Sequence, residues 1–274
     1  MTDDSLISWL TALDALPERL ERELPGRWSG LEFLPSVDST NGRLLDSEEL
    51  ESDGFRVCVA REQTAGRGRR GRRWVSSGAF GLTFSLARAL APGEAPAPAL
   101  TLAIGVGLAR GLLRCGLDGF GFKWPNDLVT RNGAKLAGIL VEARPGAPGR
   151  PPALVAGLGL NRRGARGLGL DRATADLADL GGEPAPDLPD LLHAILVELV
   201  SAWEAFAREG LGSVLDDYRR LDHLFGQQVQ VVESGLEGIA EGVDPVDGAL
   251  LLRRPEGLHR LYSGDVSVRR ADRG

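Results

Sequence analysis

Apolar residues recur at helical spacing near the start of the chain. Leu6, Trp9, Leu10, Leu13 and Leu16 fall on one face of a helix predicted over 5–24, which Pro17 must shorten or kink. Asp38-Ser39-Thr40-Asn41 is an N-cap cluster with a short helix expected behind it. FRVCVA (55–60) and GLTFSLA (81–87) read as buried strands, and an Ala/Pro-rich loop (91–98) leads into an apolar helix from about 99 to 115. GFKWP (121–125) ends at a turn, and DLVTR runs into Asn132-Gly133, the strongest short-range hairpin signal. On its far side KLAGILVEA is apolar on both faces and is expected to be buried on both. After a Pro/Gly loop at 145–152, ALVAGLGLN reads as another central strand, with helices predicted at about 172–180 and 187–222. From about 224 the texture changes to short strands (QQVQVVE, EGIAEGV, ALLLRR, LHRLYSG, DVSVR) broken by Gly, Asp and Pro, a small β-barrel or sandwich. The pattern predicts an α/β (α+β) protein in three parts: a helical extension over 1–30, a large mixed domain over 31–223 and a small all-β domain over 224–274.

Length and composition narrow the function classes. The 274 residues suit one large domain with one small one. With 38 acidic and 32 basic side chains the net charge is −6, which argues against a whole-surface nucleic-acid or membrane binder but allows a local basic patch. Two cysteines, Cys58 and Cys115, exclude a disulfide framework or a cysteine-rich zinc site. The three histidines, His193, His223 and His259, have no metal-ligand spacing, so no metal site is expected from a protein motif. An acidic N-terminus and the lack of any apolar run near 18 residues long point to a reduced, cytoplasmic protein with no membrane contact. Of the 32 basic residues only two are lysine, and these, Lys123 and Lys135, lie close together. Where arginine serves for ordinary positive charge, the two lysines mark places where it does not.

Two segments carry candidate chemistry. Residues 61–73 (REQTAGRGRRGRR) hold six arginines against one glutamate. Gly66, Gly68 and Gly71 spell G-x-G-x-x-G, but the run leads into a strand-like segment instead of opening a helix, so a dinucleotide site is disfavoured. Three readings stay open: a solvated basic loop, a nonspecific nucleic-acid contact, for which only Trp74 is at hand as a stacking platform, and a mobile clamp whose guanidiniums grip phosphate or carboxylate. The second segment, Lys123-Trp124-Pro125-Asn126-Asp127, sets a cation, an amide and a carboxylate around a proline turn. It is either plain turn chemistry or, with Lys135, a pair of point charges for a reacting phosphate or carboxyl group. Asp127 would then orient an amine nucleophile or bind a metal ion, and Asn161 sits where a strand meets a loop, a common place for a site residue.

In this order, DSTN (38–41), REQTAGRGRRGRRW (61–74), KWPNDL (123–128), KLAGILVE (135–142) and GLGLN (157–161) resemble the biotin–protein ligase family, and SGDVSVR (263–269) resembles that family's small SH3-like domain. The resemblance covers roughly residues 33–270. It implies a ligase core related to class II aminoacyl-tRNA synthetases and lipoate ligases. It also implies a two-step reaction: biotin and MgATP form biotinyl-5′-AMP and pyrophosphate, and the adenylate then acylates one lysine of a biotin carboxyl carrier protein.

Carried over by position, Ser39, Thr40, Asn41, Gln63 and Gly138 would hold biotin. Gly66, Arg67, Gly68 and Arg69 would form the loop that orders over biotin and the adenylate phosphate, and Lys135 would meet the biotin carboxyl or the α-phosphate. The resemblance puts Arg70, Arg72, Trp74, Lys123, Asn126 and Asn161 on the ATP side, with Asp265 and Arg269 approaching from the small domain. Lys135, Arg69, Lys123 and Asp127 would carry the catalysis. Mg²⁺ would arrive with ATP, with Asn161 as its candidate protein contact.

The sequence departs from the family where a Pro-Gly-Gly turn is usual and Ser77-Gly78-Ala79-Phe80-Gly81 stands instead, and in the Arg/Gly-rich segment 162–174. The stretch before residue 38 is too short for the DNA-binding domain of bifunctional members, so no specific DNA binding is expected. An exposed sheet edge can support a homodimer. The competing readings are a lipoate or octanoyl ligase of the same core and a non-enzymatic nucleic-acid module built on the arginine loop.

Overall fold

The structure, a computed structural model, describes residues 3–50, 53–75, 81–168, 172–180, 186–262 and 268–270. The predicted N-terminal helix is two: α1 (Asp3–Leu13) and α2 (Leu16–Glu23), with Pro17 in the first turn of α2, where its missing N–H costs nothing. Leu13, Leu16 and Leu20 are fully buried in the main core, so the extension packs as part of the large domain. Strand β1 (Trp28–Leu34) follows and begins ahead of residue 31.

The large domain is built on a seven-stranded mixed sheet. Its members are β1, β2 (Phe55–Ala60), β3 (Gly81–Ala89), β4 (Phe120–Lys123), β5 (Asp127–Thr130), β6 (Lys135–Arg144) and β7 (Ala153–Asn161), in the order β1-β2-β3-β7-β6-β5-β4. Only β1 and β2 run parallel; the other neighbours are antiparallel. Helices α4 (Leu100–Arg114) and α5 (Leu188–Glu209) pack together over one face of the sheet. Gly107 and Gly111 allow the close approach: a Cβ on Gly111 would lie 2.6 Å from the Ile195 Cα.

Strand alternation divides the residues between the two faces. Val57, Val59, Phe84, Leu86, Leu158 and Leu160 join the core under α4 and α5. The opposite face carries Thr83, Ser85, Gly157 and Gly159, small or polar residues that leave room above the sheet, and the short helix α3 (Thr40–Leu45) sits at its side. Here the reading of 135–143 as buried on both faces is corrected. Lys135, Gly138, Leu140, Val141 and Glu142 are only half-buried, and Lys135, Gly138 and Leu140 line an open cavity rather than a second core.

Two helix expectations also change. Residues 172–180 hold no α-helix: 173–175 run alongside the start of β6, and only Leu177–Leu180 make a 3-10 turn. The predicted 187–222 helix is α5, a 3-10 segment (Gly210–Val214) and α6 (Leu215–Leu221), broken at Gly210, whose φ of 69° ends α5. The small domain is a five-stranded antiparallel sheet of β8 (Gln228–Val231), β9 (Glu237–Val243), β10 (Leu250–Arg254), β11 (Gly257–Leu261) and β12 (Val268–Arg270), ordered β11-β10-β9-β8-β12. Among the described residues no helix is long and apolar enough to cross a membrane.

Candidate active site

The floor of the cavity, about 290 Å³, is the small-residue face of β6 and β7. Glycine is required at two places. A Cβ on Gly157 would lie 2.2 Å from Asn41 Oδ1, and one on Gly159 would lie 2.2 Å from the Trp74 ring. The G-x-G spacing inside β7, part of the GLGLN stretch, therefore admits two side chains that reach over the sheet.

One end of the cavity is polar and rigid. Ser39 caps α3, accepting a hydrogen bond from Gly42 N–H at 3.4 Å. Thr40 donates from its backbone N–H (2.8 Å) and its hydroxyl (3.1 Å) to Gln63 Oε1. Asn41 Nδ2 donates to Glu142 Oε2 (2.7 Å) and Leu140 O (3.2 Å), while its Oδ1 accepts from the Ser85 hydroxyl at 2.6 Å. Ser39, Thr40, Asn41 and Gln63 thus meet at one wall, although Asn41 and Gln63 are 22 positions apart in sequence. Ser85 and Glu142, which hold the Asn41 amide, were not singled out from sequence: a serine and a glutamate inside strands have no local mark.

The other end is cationic. Lys135 is ion-paired with Asp127, and its ammonium lies 5.7 Å from the centre of the Trp74 ring. Burial pushes the Lys135 ammonium below its ordinary value of 10.5, against the upward pull of Asp127. Lys123 lines the same cavity, so the two lysines converge. Asn126 is pinned by Nδ2 donating to Ile139 O and by Ile139 N–H donating to its carbonyl, both at 2.9 Å. Its Oδ1 accepts from Arg69 Nη1 at 3.1 Å. Burial also lowers the Arg69 guanidinium, with the Asp127 charge opposing.

The arginine loop is a tight hairpin over this end. Arg67 and Arg73 bridge, Gly68 N–H donates to Arg72 O at 2.7 Å, and Trp74 N–H donates to Gly66 O at 2.9 Å. Arg69–Gly71 form its 3-10 tip. Arg67, Gly68, Arg69, Arg70 and Arg72 line the cavity. Gly66 does not line it; its role is space, since a Cβ there would lie 2.6 Å from Trp74 O.

Asn161 stands behind the cavity rather than in its wall. Its Nδ2 donates to Lys135 O and Ala175 O, both at 3.1 Å, tying 173–175 to the start of β6. That segment brings Arg172, a residue sequence reasoning missed, to the cavity rim. Among the described residues no group of three or more His, Cys, Asp or Glu side chains stands ready to hold a metal ion. Asp265 and 76–80 lie outside the described residues, and Arg269 is placed on β12 opposite Gln230.

The sequence and the fold have known counterparts. Residues 33–161 match the Biotin/lipoate A/B protein ligase family, and residues 224–269 match the Biotin protein ligase C terminal domain. The chain is 35% identical to the bifunctional ligase/repressor BirA of Escherichia coli (strain K12), covering 94% of this chain and 82% of that protein. It is 33% identical to the biotin–[acetyl-CoA-carboxylase] ligase of Paracoccus denitrificans over 85% of this chain and 98% of that one. Its fold is similar to that of the biotin protein ligase from Aquifex aeolicus solved in complex with biotin and ATP, with TM-score 0.74 and 26% identity over 89% of this chain and all of that one. The chain therefore belongs to the biotin/lipoate A/B protein ligase family. Within that family it carries the C-terminal domain of the biotin protein ligases, and ATP-dependent biotinylation of a carrier protein is its activity.

Proposed function

We propose that the two ends of this cavity are the two halves of one reaction site, where the biotin carboxylate attacks the α-phosphate of ATP. The observation that carries the reading is convergence. Lys123, Lys135 and the arginine loop meet at one end of a cavity whose other end is a rigid set of hydrogen-bonding groups.

In this reading Ser39, Thr40, Asn41 and Gln63 bind the ureido end of biotin, and its ring lies beside the Asn41 amide and the Trp74 ring, which stand over the Gly138, Gly157 and Gly159 floor. The carboxylate lies toward Lys135. Two anions must be brought together, and fixed cations around the developing charge lower that barrier. In-line positioning supplies much of the rest. Lys135 and Lys123 serve as compact charges at the reacting phosphate, Arg69, held by Asn126, closes over it, and Arg67, paired with Glu142 at 3.2 Å, closes the loop over the Asn41 end. Arg70, Arg72 and Trp74 flank the nucleotide, and Asp265 and Arg269 approach it from the small domain. Closure keeps the mixed anhydride from water.

In the second step a carrier lysine attacks. Asp127, beside the reacting carbonyl in this scheme, accepts or orients its proton once Lys135 has turned to the phosphate. Magnesium fits only as an ion carried in by the triphosphate, since the donors at this end are mostly cations and amides; Asn161, expected from sequence to contact it, is buried behind the cavity wall and instead holds the backbone of Lys135 and Ala175. The ion would supply charge neutralisation on the phosphates.

A cytoplasmic location fits the free thiols of Cys58 and Cys115 and the demand for ATP. Specific operator binding is not expected of the arginine loop, because its charges are drawn into the cavity and into pairs with Glu142 and Glu233 rather than spread over a face. A homodimer would use the β1 edge of the sheet, since residues 222–223 already pair with the outer edge of β4. The test is ATP–pyrophosphate exchange: dependence on biotin and no response to lipoate supports the reading, whereas exchange driven by lipoate favours the sister activity.

A further inference from the structure

The small domain supplies part of the cavity wall. Val232, in the turn between β8 and β9, lines the cavity, and the next residue, Glu233, is ion-paired with Arg70 at the tip of the arginine loop. The turn is well defined: Val231 N–H donates to Leu236 O and Gly235 N–H to Val231 O, both at 2.8 Å. Arg70 has a φ of 61°, the one positive φ outside glycine among the described residues. Such backbone persists where surroundings over-determine it, and the Glu233 carboxylate is the partner the bent tip meets.

Charge gives the pair a purpose. Five arginines within 67–73 repel one another. The core answers with Glu142 against Arg67, and the small domain answers with Glu233 against Arg70. The domains are joined differently elsewhere. Trp124, almost wholly buried, donates its indole N–H to Gly248 O at 3.0 Å, and Gly248 sits so close to α4 that a Cβ would lie 2.9 Å from Leu102. That joint is fixed. The Arg70–Glu233 pair is about one-third exposed on each side (36% and 27%) and so can open and close.

We propose that Glu233 is a positioning residue for the ligation: through Arg70 it fastens the arginine loop to the small domain and so keeps the adenylate sealed until the carrier amine arrives. The inference rests on reading the cavity as the site of adenylate formation. Glu233 touches no reacting atom. A pair about one-third exposed contributes modestly, which translates into a roughly two- to fivefold change.

The test follows escape of biotinyl-5′-AMP into solvent from the full chain, loaded with biotin and MgATP without carrier. Glu233→Gln is expected to release adenylate roughly two- to fivefold faster while the KM for biotin in pyrophosphate exchange stays put. Glu233→Asp keeps the charge and restores most of the retention. In an Arg70→Ala background Glu233→Gln adds nothing, because the pair is already broken. Added salt speeds escape from the wild type more than from Glu233→Gln. Escape at the wild-type rate or slower, or an effect that adds to Arg70→Ala, overturns the inference while wild-type exchange still supports the cavity reading. A wild type with no biotin-dependent exchange overturns both.

Discussion

Lys135 stands at the centre of the proposed reaction site, and it is a poor surface residue: its side chain is only 12% exposed and paired with Asp127. Lys135→Ala is expected to cut adenylate formation by about 10²–10³-fold, the loss typical of one preorganised group facing developing charge. Thermal unfolding should move little, since relief of the buried ammonium offsets the orphaned Asp127. Near-normal exchange by this variant would remove Lys135 from the site. The lowered Lys135 value has a signed consequence. Only the ammonium form attracts the anion, so affinity for the adenylate is full below the lowered value. It is lost as pH rises through that value, earlier than 10.5, the ordinary lysine value. Binding in that window takes up a proton, which calorimetry in buffers of different ionisation enthalpy detects; affinity flat up to 10.5 would contradict the assignment. The folded state carries the cost of the buried charge below the lowered value, so this group's contribution to stability improves as pH climbs toward 10.5. Cys58 is the quiet counterpart: burial pushes its thiol up to about 12, so it plays no nucleophilic part.

At the scale of elements, the glycines of β7 and α4 make opposite predictions. Gly157→Ala drives a methyl into the Asn41 amide, so the KM for biotin should rise at least tenfold with the fold kept; an unchanged KM would separate Asn41 from biotin. Gly111→Ala meets Ile195 backbone, which cannot yield, and is expected to cost about 1–3 kcal/mol in urea unfolding with the KM for biotin unchanged. Most elements were legible in the sequence because periodicity and turn chemistry are local. The α3 cap, the strands 55–60 and 81–87, the Asn132-Gly133 hairpin and the five small-domain strands all announce themselves. The misreadings came from tertiary causes. Residues 173–175 look helical but are claimed as a partner by Lys135 and Asn161. The β6 face looks like core because an apolar cavity floor and an apolar core share one composition. Motif residues such as Ser39, Gln63 and Lys135 were visible as resemblance; Ser85, Glu142 and Arg172 were not, since only folding sets them beside the motifs.

Over the whole molecule, two domains and a charged hairpin line one cavity, and the net charge of −6 leaves the basic patch local. Duplex DNA should therefore shift only weakly in a gel and without sequence preference; a tight, sequence-specific shift would overturn that expectation. Protease cleavage within 66–73 should slow when biotin and ATP are added, and equal cleavage with and without them would mean that the loop does not close over ligand. The most direct measurement is the mass of a biotin carboxyl carrier domain after incubation with the chain, biotin and MgATP. The account predicts a gain of one biotinyl group on one lysine, slowed about 10²–10³-fold by Lys135→Ala and absent when lipoate replaces biotin. An unmodified carrier, or a gain that Lys135→Ala does not slow, would contradict the claim that these lysines and this arginine loop form a single reaction centre.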